Sequence, residues 1–522
     1  MHIMNKYYIT TPIYYANDNP HIGHIATTVF SDIIARYHKL QGEDILFLTG
    51  LDEHGEKVAL AAQKAKKDPQ QFVDELAKKW QSYWEKLNIK YDIFMRTTNP
   101  EHAKIVGELL TQLKENGDIY RATYKGVYCI GCEEFKADRD LVNGLCPEHH
   151  PDQVCQKEEE NYFFKLSKYI PEIKKGIADG IIPLEPESKR KEILARLEEE
   201  VRDLSISRQN VPWGIKLPWD EIQTVYVWVE ALINYFSATK IYKKEEFWPA
   251  DLHFLGKGNN WFHSVIWPAI LMSAGYKLPN KLLVHGYLNL AGQKMSKSLG
   301  NVISPDEVVK KYGADVTRMY EMFMGPLEAT KPWNMQGVEG VHRFLCKFWR
   351  TVIDETGNIK STISDIEADE ETQRLLHQTI KKVGGDIDNF RFNTAISQMM
   401  IFVNHIGKLP ALPRKAIEAF VLLLAPFSPH IAEEVWQKLS HKKTLAYENW
   451  PKYSEELAAE KEIEIAVQVL GRIKDKIVVP ADADDEFIKQ KALACEKVIS
   501  AITGKEIKKV IVIKSRLVNI VI

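Results

Sequence analysis

Two stretches of this 522-residue chain carry side chains whose types and spacing could do chemistry. The first is His21-Ile22-Gly23-His24, which follows the apolar run Lys6–Ile13 and opens a helical pattern from Gly23 to Leu40. A strand feeding a helix N-terminus leaves backbone N–H groups and a partial positive charge where a phosphate can sit. Gly23 removes a side chain where a flat purine could lie on the backbone. His21 and His24 can donate hydrogen bonds to phosphate oxygens as positioned groups rather than nucleophiles. The second stretch is GQKMSKSLGN, Gly292 to Asn301, a glycine-rich loop on which Lys294 and Lys297 could neutralise a leaving pyrophosphate. Singly, the histidines read as a helix cap and the lysines as a solvated turn. Together they describe a site for one triphosphate.

A third group suits a metal. Cys129-x2-Cys132 is followed thirteen residues later by Cys146-x2-His149. Two short pairs at this spacing fit a tetrahedral zinc with no open position, hence a structural ion. His150 and Cys155 compete as fourth ligand. Four of the six cysteines fall between Cys129 and Cys155, which points to metal binding in a reducing compartment, by default the cytosol.

The elements that must position these residues alternate at first. Strands Tyr7–Ile13, Ile45–Thr49 and Ile93–Arg96 separate helical patterns His24–Leu40, Pro69–Leu87 and Pro100–Asn116, the layout of a parallel, doubly wound α/β sheet. From residue 117 to 205 the pattern breaks into a Cys-containing loop region and a charged helix, Ser188–Val201. Alternation resumes with strand Thr224–Val229, strand Leu252–Leu255, helix Asn260–Ala274 and strand Lys281–Leu290. Residues 1–116 and 206–300 therefore read as one nucleotide-binding domain with 117–205 inserted. Residues 301–337 hold two short helices, Pro305–Tyr312 and Asp315–Met324. Residues 338–448 show helical periodicity and should form a bundle. Asn449–Glu460 reads as a linker, and 460–522 as a small α+β module in the order strand, strand, helix, strand, strand. No apolar run approaches the roughly 20 residues that span a bilayer. The net charge of −2 leaves room for a local nucleic-acid surface.

The signature pair His21–His24 and Lys294-Met295-Ser296-Lys297-Ser298 resembles that of the class I aminoacyl-tRNA synthetases. TPIYYAN, Thr11 to Asn17, and FLTGLDEHGEKV, Phe47 to Val58, look like the methionyl-tRNA synthetases in particular. The resemblance implies a Rossmann-type catalytic domain with a zinc-knuckle insertion, a helical anticodon-binding bundle, and ligation of methionine to tRNA through methionyl-adenylate. It implies ATP with Mg, methionine and tRNA as partners, one structural zinc, no membrane, and a cytoplasmic monomer. Carried over residue by residue, Ile13 and Tyr15 would line the methionine slot and Asp52 would hold the ammonium. Trp228, Ala231, Leu232 and Tyr235 would close around the side chain, with His263 near the sulfur and Arg208 near the substrates. His21, Gly23, His24, Gly256, Asn259, Lys294 and Lys297 would meet the nucleotide. Core packing competes for the aromatics, a helix N-cap for Asp52 and a salt bridge for Arg208.

The chain departs from the pattern in two places. Gly258 stands where the family carries an acidic residue for the ATP ribose, with Asn259 as a substitute. Beyond about residue 300 the resemblance turns leucyl-like, in EVVKKYGADVTRMYEMFMGPLEATKPWNMQGVEGVHRFL and in the last sixty residues. The Ala-Pro-Trp stretch that methionyl enzymes use at the anticodon is absent. Arg343, Trp349 and Arg350 are candidate tRNA contacts in the bundle, and Lys474, Lys476, Lys508, Lys509 and Lys514 in the last module. Methionine is favoured over leucine, because residues 117–205 are too short for an editing domain and a pocket alone separates small aliphatic side chains poorly. A small nucleotidylyltransferase shares the HxGH loop but needs no knuckle or bundle. A tRNA-binding protein without catalysis would not need both intact signatures.

Overall fold

The structure, a computed structural model, describes all residues except 1–4, 133, 137–140, 148–149, 210, 287, 291–292, 295–303, 461 and 514–515, and leaves undescribed the side chains of 124, 134, 288–290 and 293–294. Lys297, His149 and Lys514 lie outside the described residues, as does the side chain of Lys294. The chain divides into two compact units, Met1–Asp365 with Val383–Pro451, and Ile366–Lys382 with Lys452–Ile522.

The first unit is built on a seven-stranded sheet: β1 (Lys6–Thr10), β2 (Tyr14–Tyr15), β3 (Asp44–Asp52), β4 (Ile93–Arg96), β5 (Leu184–Glu185), β6 (Leu252–Gly256) and β7 (Leu282–His285). The order is β2-β3-β1-β6-β7-β5, with β4 also on β3. Its pairings are parallel. Both faces are covered, so β3 reads as an unbroken apolar run in which Leu46, Phe47 and Leu48 are buried. Gly50 is required in it, because an added Cβ would stand 2.1 Å from the Met95 carbonyl oxygen of β4. From β1 the chain moves one way to β3 and β4 and later returns on the other side to β6 and β7. The carboxyl ends of β1 and β6 therefore flank a topological switch point, where open α/β sheets bind ligands.

Four helices matter for the site: α1 (Ile22–Leu40), α2 (Val227–Ile241), α3 (Ala314–Phe323) and α4 (Met335–Val352). Several boundaries differ from the sequence expectation. The strand expected at Lys6–Ile13 stops at Thr10, ahead of Pro12, and resumes as β2. The strand expected at Thr224–Val229 ends at Val225, and the rest of that run is the first turn of α2. A helix buried nearly all round and a buried strand share the same continuous apolar signal, which explains the misreading. Helix Asn260–Ala274 is preceded by a 3₁₀ turn, Lys257–Asn259, and is interrupted by a π turn, Phe262–Ile266, before the α-helix Trp267–Ala274. The charged helix runs Glu187–Arg196.

The Cys-containing region is flanked by a long hairpin that the sequence did not announce. Ile119–Cys129 and Val154–Phe164 pair antiparallel along their whole length. Lys-Glu-Glu-Glu-Asn in the second strand has little strand propensity, but Arg121–Glu160 at 3.0 Å and Lys125–Glu158 at 3.1 Å pair across the ladder. The strand expected at Lys281–Leu290 also divides. After β7, Leu288–Leu290 joins a separate small sheet, antiparallel to Gln293–Lys294 and parallel to Lys331–Pro332. Gly286 permits the crossing, since a Cβ there would lie 2.4 Å from the Ala329 carbonyl oxygen.

Helix α3 is fixed to α1 by Arg318, which is fully buried. Its Nη2 meets Asp32 of α1 at 2.6 Å, and its other donors reach the carbonyl oxygens of Leu87, Pro426 and Phe427. Asp32 also receives Arg36 Nε at 2.7 Å and the Lys90 amide at 2.8 Å. Burial opposes its charge, but the two guanidinium groups hold its carboxyl below the usual range.

In the second unit the strands Arg472–Pro480, Glu462–Val469, Leu517–Val521 and Lys509–Ile513 lie side by side in that order. Two helices, Asp485–Leu493 and Glu496–Ile502, pack on them where one was expected. Ile465, Val467, Val479, Ile488, Val498 and Val518 form its core. Lys474, Lys508 and Lys509 are exposed, and Lys476 pairs with Glu464 at 2.6 Å.

Candidate active site

At the switch point α1 begins with a reciprocal cap. The Gly23 amide donates to His21 Nδ1 at 3.1 Å, and the His21 amide to His24 Nδ1 at 3.3 Å. The two imidazoles stack with centroids 3.6 Å apart, and the ring of Trp80 lies 5.0 Å from His24. The capping role read from the sequence is present, and the two rings stand at the positive end of the helix. A Cβ on Gly23 would stand 3.0 Å from His21 Cε1, so the residue keeps that face clear.

Beside it lies a cluster of aromatic rings. Tyr15 of β2 is in register with Asp52, the last residue of β3. The Tyr15 ring meets Trp228 edge-on at 6.0 Å, and Trp228 stacks on Phe262 at 4.0 Å. Trp228 Nε1 is buried with no hydrogen-bond partner among the described residues. Asp52 is buried, and the helix after it starts at Glu56 with Gly55 as its N-cap, so Asp52 does not serve as that cap. At the far side Tyr235 Oη and His263 Nε2 are 2.8 Å apart, both residues buried. His263 Nδ1 lies 2.9 Å from the Asn259 carbonyl, which can only accept. The proton is therefore on Nδ1, and the Tyr235 phenol donates to Nε2. Burial pushes the His263 imidazole down to about 4, so it is neutral near pH 7. Burial above all, with the Tyr14 phenol and the Asp52 carboxylate among the other influences, holds the Tyr235 phenol far above its usual range. Ala231 and Leu232 are buried on α2, and Ile13 is half-buried against the same core.

The sequence did not single out Phe262. Its neighbour Trp261 is half-buried, with the Arg196 guanidinium 4.0 Å from its ring centroid. Phe262 opens a π turn, and no residue pattern announced that turn. Two buried pairs were also missed, His54 Nδ1 with Glu230 Oε1 at 2.9 Å and Thr27 Oγ1 with His285 Nε2 at 2.9 Å. The second joins α1, one turn after His24, to the end of β7. Gly256 closes β6, and the exposed Gly258 and half-buried Asn259 follow in the 3₁₀ turn, where the Asn259 carbonyl is taken by His263. Arg208 has no carboxylate partner among the described residues. Its Nη1 donates to Ser205 and Ser207, and its guanidinium lies 4.0 Å from the Tyr226 ring centroid.

In the knuckle the sulfurs of Cys129, Cys132 and Cys146 lie within 4.8 Å of one another, and Cys132 and Cys146 are 3.7 Å apart. That is far from a disulfide, which needs about 2.0 Å. Tetrahedral thiolates at about 2.3 Å from one zinc would stand about 3.8 Å apart. The three cysteines thus form a cluster that could hold a metal ion. Cys155 and His150 do not belong to it; Cys155 is exposed, and His150 Nδ1 is 2.9 Å from Asp152.

Comparison with known proteins gives two family matches. Residues 7–342 match the family described as tRNA synthetases class I (M), and residues 369–489 the anticodon-binding domain of tRNA ligase. The chain is 49% identical to the methionine–tRNA ligase of Thermotoga maritima over 328 residues, 60% of this chain and 51% of that one. It thus spans about half the length of that relative. To the Streptomyces coelicolor methionine–tRNA ligase it is 33% identical over 84% of this chain and 90% of that one. Methionyl-tRNA synthetase of Mycobacterium tuberculosis bound to methionyl-adenylate superposes with a TM-score of 0.75 at 29% identity, over 83% of this chain and 94% of that one. A LeuRS–tRNA–LeuAMS complex from Agrobacterium radiobacter shares the fold over 99% of this chain and 96% of that one, with a TM-score of 0.81 at 19% identity. No helix among the described residues is long and apolar enough to cross a membrane.

Proposed function

Because the chain belongs to the methionyl class I tRNA synthetase family, we propose that it ligates methionine to tRNA through methionyl-adenylate. The observation that carries this reading is the slot of Tyr15, Trp228 and Phe262, with Tyr235 and His263 at its far side, opening beside the paired imidazoles of α1. Polarizable rings suit a thioether, and a buried neutral imidazole suits an uncharged side chain better than an ionic one. Asp52 holds the substrate ammonium. The methionine carboxylate attacks the α-phosphorus of ATP, the α–β bridging bond breaks, and pyrophosphate leaves. The protein contributes position and charge rather than a covalent intermediate.

In this reading His21 and His24 donate to the phosphate oxygens, Gly23 leaves room for the adenine, and Gly256 and Asn259 border the ribose. Lys294 and Lys297 neutralise the leaving group. Magnesium, when bound with ATP, supplies further charge neutralisation on the phosphates. Cys129, Cys132 and Cys146, with His149 as fourth ligand, hold a structural zinc. The adenylate then gives its methionyl group to the terminal ribose of tRNA, held by the helical bundle and the C-terminal module. Arg208 is a positioning residue, tying the knuckle hairpin to the start of α2. The test is ATP–pyrophosphate exchange with each of the twenty amino acids. Methionine should lead; leucine outrunning it would replace this reading with a leucine ligase, and no exchange with any would leave an RNA-binding protein.

A further inference from the structure

His285 ends β7 and belongs to neither signature, yet it stands between the elements that carry them. Its Nε2 lies 2.9 Å from Thr27 Oγ1, and Thr27 is buried on α1 one turn after Gly23. In register with it across the sheet is Gly256, the last residue of β6, and a Cβ added there would stand 3.6 Å from the same nitrogen. The Phe254 ring lies against the imidazole with centroids 4.8 Å apart, and Phe254 in turn stacks on Phe30 of α1 at 3.7 Å. The chain after His285 is held as well. The Gly286 amide donates to the Leu327 carbonyl at 3.0 Å, and Leu288 pairs in register with Lys331. The same short strand, Leu288–Leu290, pairs with Gln293–Lys294, where the second signature begins.

The direction of the Thr27 bond follows from where the protons can be. His285 Nδ1 lies 2.7 Å from the Gly286 carbonyl, which can only accept, so the ring proton is on Nδ1. Burial pushes the imidazole down to about 4; the Gly286 carbonyl opposes this and the buried Lys331 ammonium adds to it, so the ring is neutral near pH 7. Nε2 is therefore an acceptor, and the Thr27 hydroxyl donates its one proton to it. A threonine without such a partner bonds back to the carbonyl four residues earlier, here Gly23 at 3.1 Å. That carbonyl already has the Thr27 amide of the helix ladder, so the hydroxyl is free to reach across. The bond ties the first turns of α1, which carry His24, to the strand that leads into Lys294. Groups that act together on one transition state must be held within about 0.5 Å of the productive geometry. We propose that His285 is a positioning residue for adenylate formation, which through Thr27 fixes the paired imidazoles of α1 against the strand pair that carries Lys294. The proposal rests on the reading of the chain as a tRNA-charging enzyme and adds a residue to its catalytic geometry.

The test is methionine-dependent ATP–pyrophosphate exchange by the full chain, with kcat and the KM for methionine and for ATP measured on each variant. His285→Asn keeps a group at the Nδ1 position and loses the one at Nε2. Thr27→Val keeps the shape of the threonine and loses its hydroxyl. Each should lower kcat by about 10- to 100-fold, the cost of displacing a reacting group by about 1 Å, and leave the methionine KM unchanged. The double variant should be no slower than the slower single one, because both changes remove the same bond. His285→Gln, whose amide oxygen reaches the Nε2 position, should recover most of the rate. Circular dichroism identifies the folded variants, and if His285→Asn does not fold, Thr27→Val decides. A native kcat in folded Thr27→Val would overturn the proposal. So would losses that add in the double variant, a raised methionine KM in place of the lowered kcat, or a glutamine variant no faster than the asparagine one. The unaltered chain is measured first: no exchange with methionine would remove the tRNA-charging reading, whereas exchange by that chain and equal rates in the variants would remove the role of His285 alone.

Discussion

Tyr235→Phe removes one oxygen from the ring cluster proposed to hold methionine, and little else. In the native site the phenol donates to His263 Nε2 at 2.8 Å, and the Asn259 carbonyl fixes the other ring proton on Nδ1. The variant therefore leaves Nε2 as a buried acceptor, in a residue only 2% exposed. Leaving such a group without a donor costs about 1–3 kcal/mol. The imidazole cannot escape by taking a proton, because burial already holds it down at about 4. If the whole cost falls on the site, the methionine KM rises by a factor of roughly 5 to 150, since each 1.4 kcal/mol is tenfold. The assay is pyrophosphate exchange with methionine varied at saturating ATP, beside a urea titration of the free protein. The expected result is a raised methionine KM, an unchanged ATP KM and a lower urea midpoint. Lost stability with an unchanged methionine KM would make the pair a packing feature and refute its place in the slot. No change in either would refute the hydrogen-bond assignment itself.

Arg318→Met should destabilise the first unit by about 3–5 kcal/mol, the usual cost of removing one partner of a buried pair, measured by urea unfolding. A loss under about 1 kcal/mol would mean that Arg36 alone satisfies Asp32. Elemental analysis of the purified protein should find about one zinc per chain, and Cys146→Ser should release it and lower the thermal midpoint; a folded, active, metal-free chain would refute the knuckle. Acid should weaken the fold as pH falls from 6.5 toward 4. Burial depresses His102 to about 3 and His263 and His285 to about 4, so the unfolded chain takes up protons that the folded one refuses. Each of these costs about 1.4 kcal/mol per pH unit in that window. His54 opposes the trend: burial resists its charge, but Glu230 holds it above the ordinary range, so its contribution is present below 6.5 and lost as pH rises through the raised value. A urea midpoint flat between pH 7 and 5 would contradict the buried neutral histidines.

What the sequence revealed, and what it hid, follows from the range of the interactions involved. The parallel sheet was legible because β1, β3, β4 and β6 are short apolar runs separated by amphipathic helices. The long hairpin of the insertion was not, because its second strand is Lys-Glu-Glu-Glu-Asn, whose pairing depends on cations 35 or so positions away in Ile119–Cys129. Likewise β5 is two residues long, and only the neighbouring β7 makes it a strand.

The site divides in the same way. His21, Gly23 and His24 announce themselves because a strand-to-helix junction is a local event, and their cap is complete within four residues. Tyr15 and Asp52 could be matched to a family but not placed against each other until the β2–β3 register set them side by side. Phe262 stayed hidden because its stacking on Trp228 joins residues 34 positions apart at the start of a π turn, and a π turn leaves no mark on residue order. Arg208 was open to a salt bridge on sequence grounds, yet it sits among hydroxyls, carbonyls and rings, since no acidic residue folds near enough to reach it among the described residues. A side chain's partner is a property of the fold, and residue type alone restricts only what that partner can be.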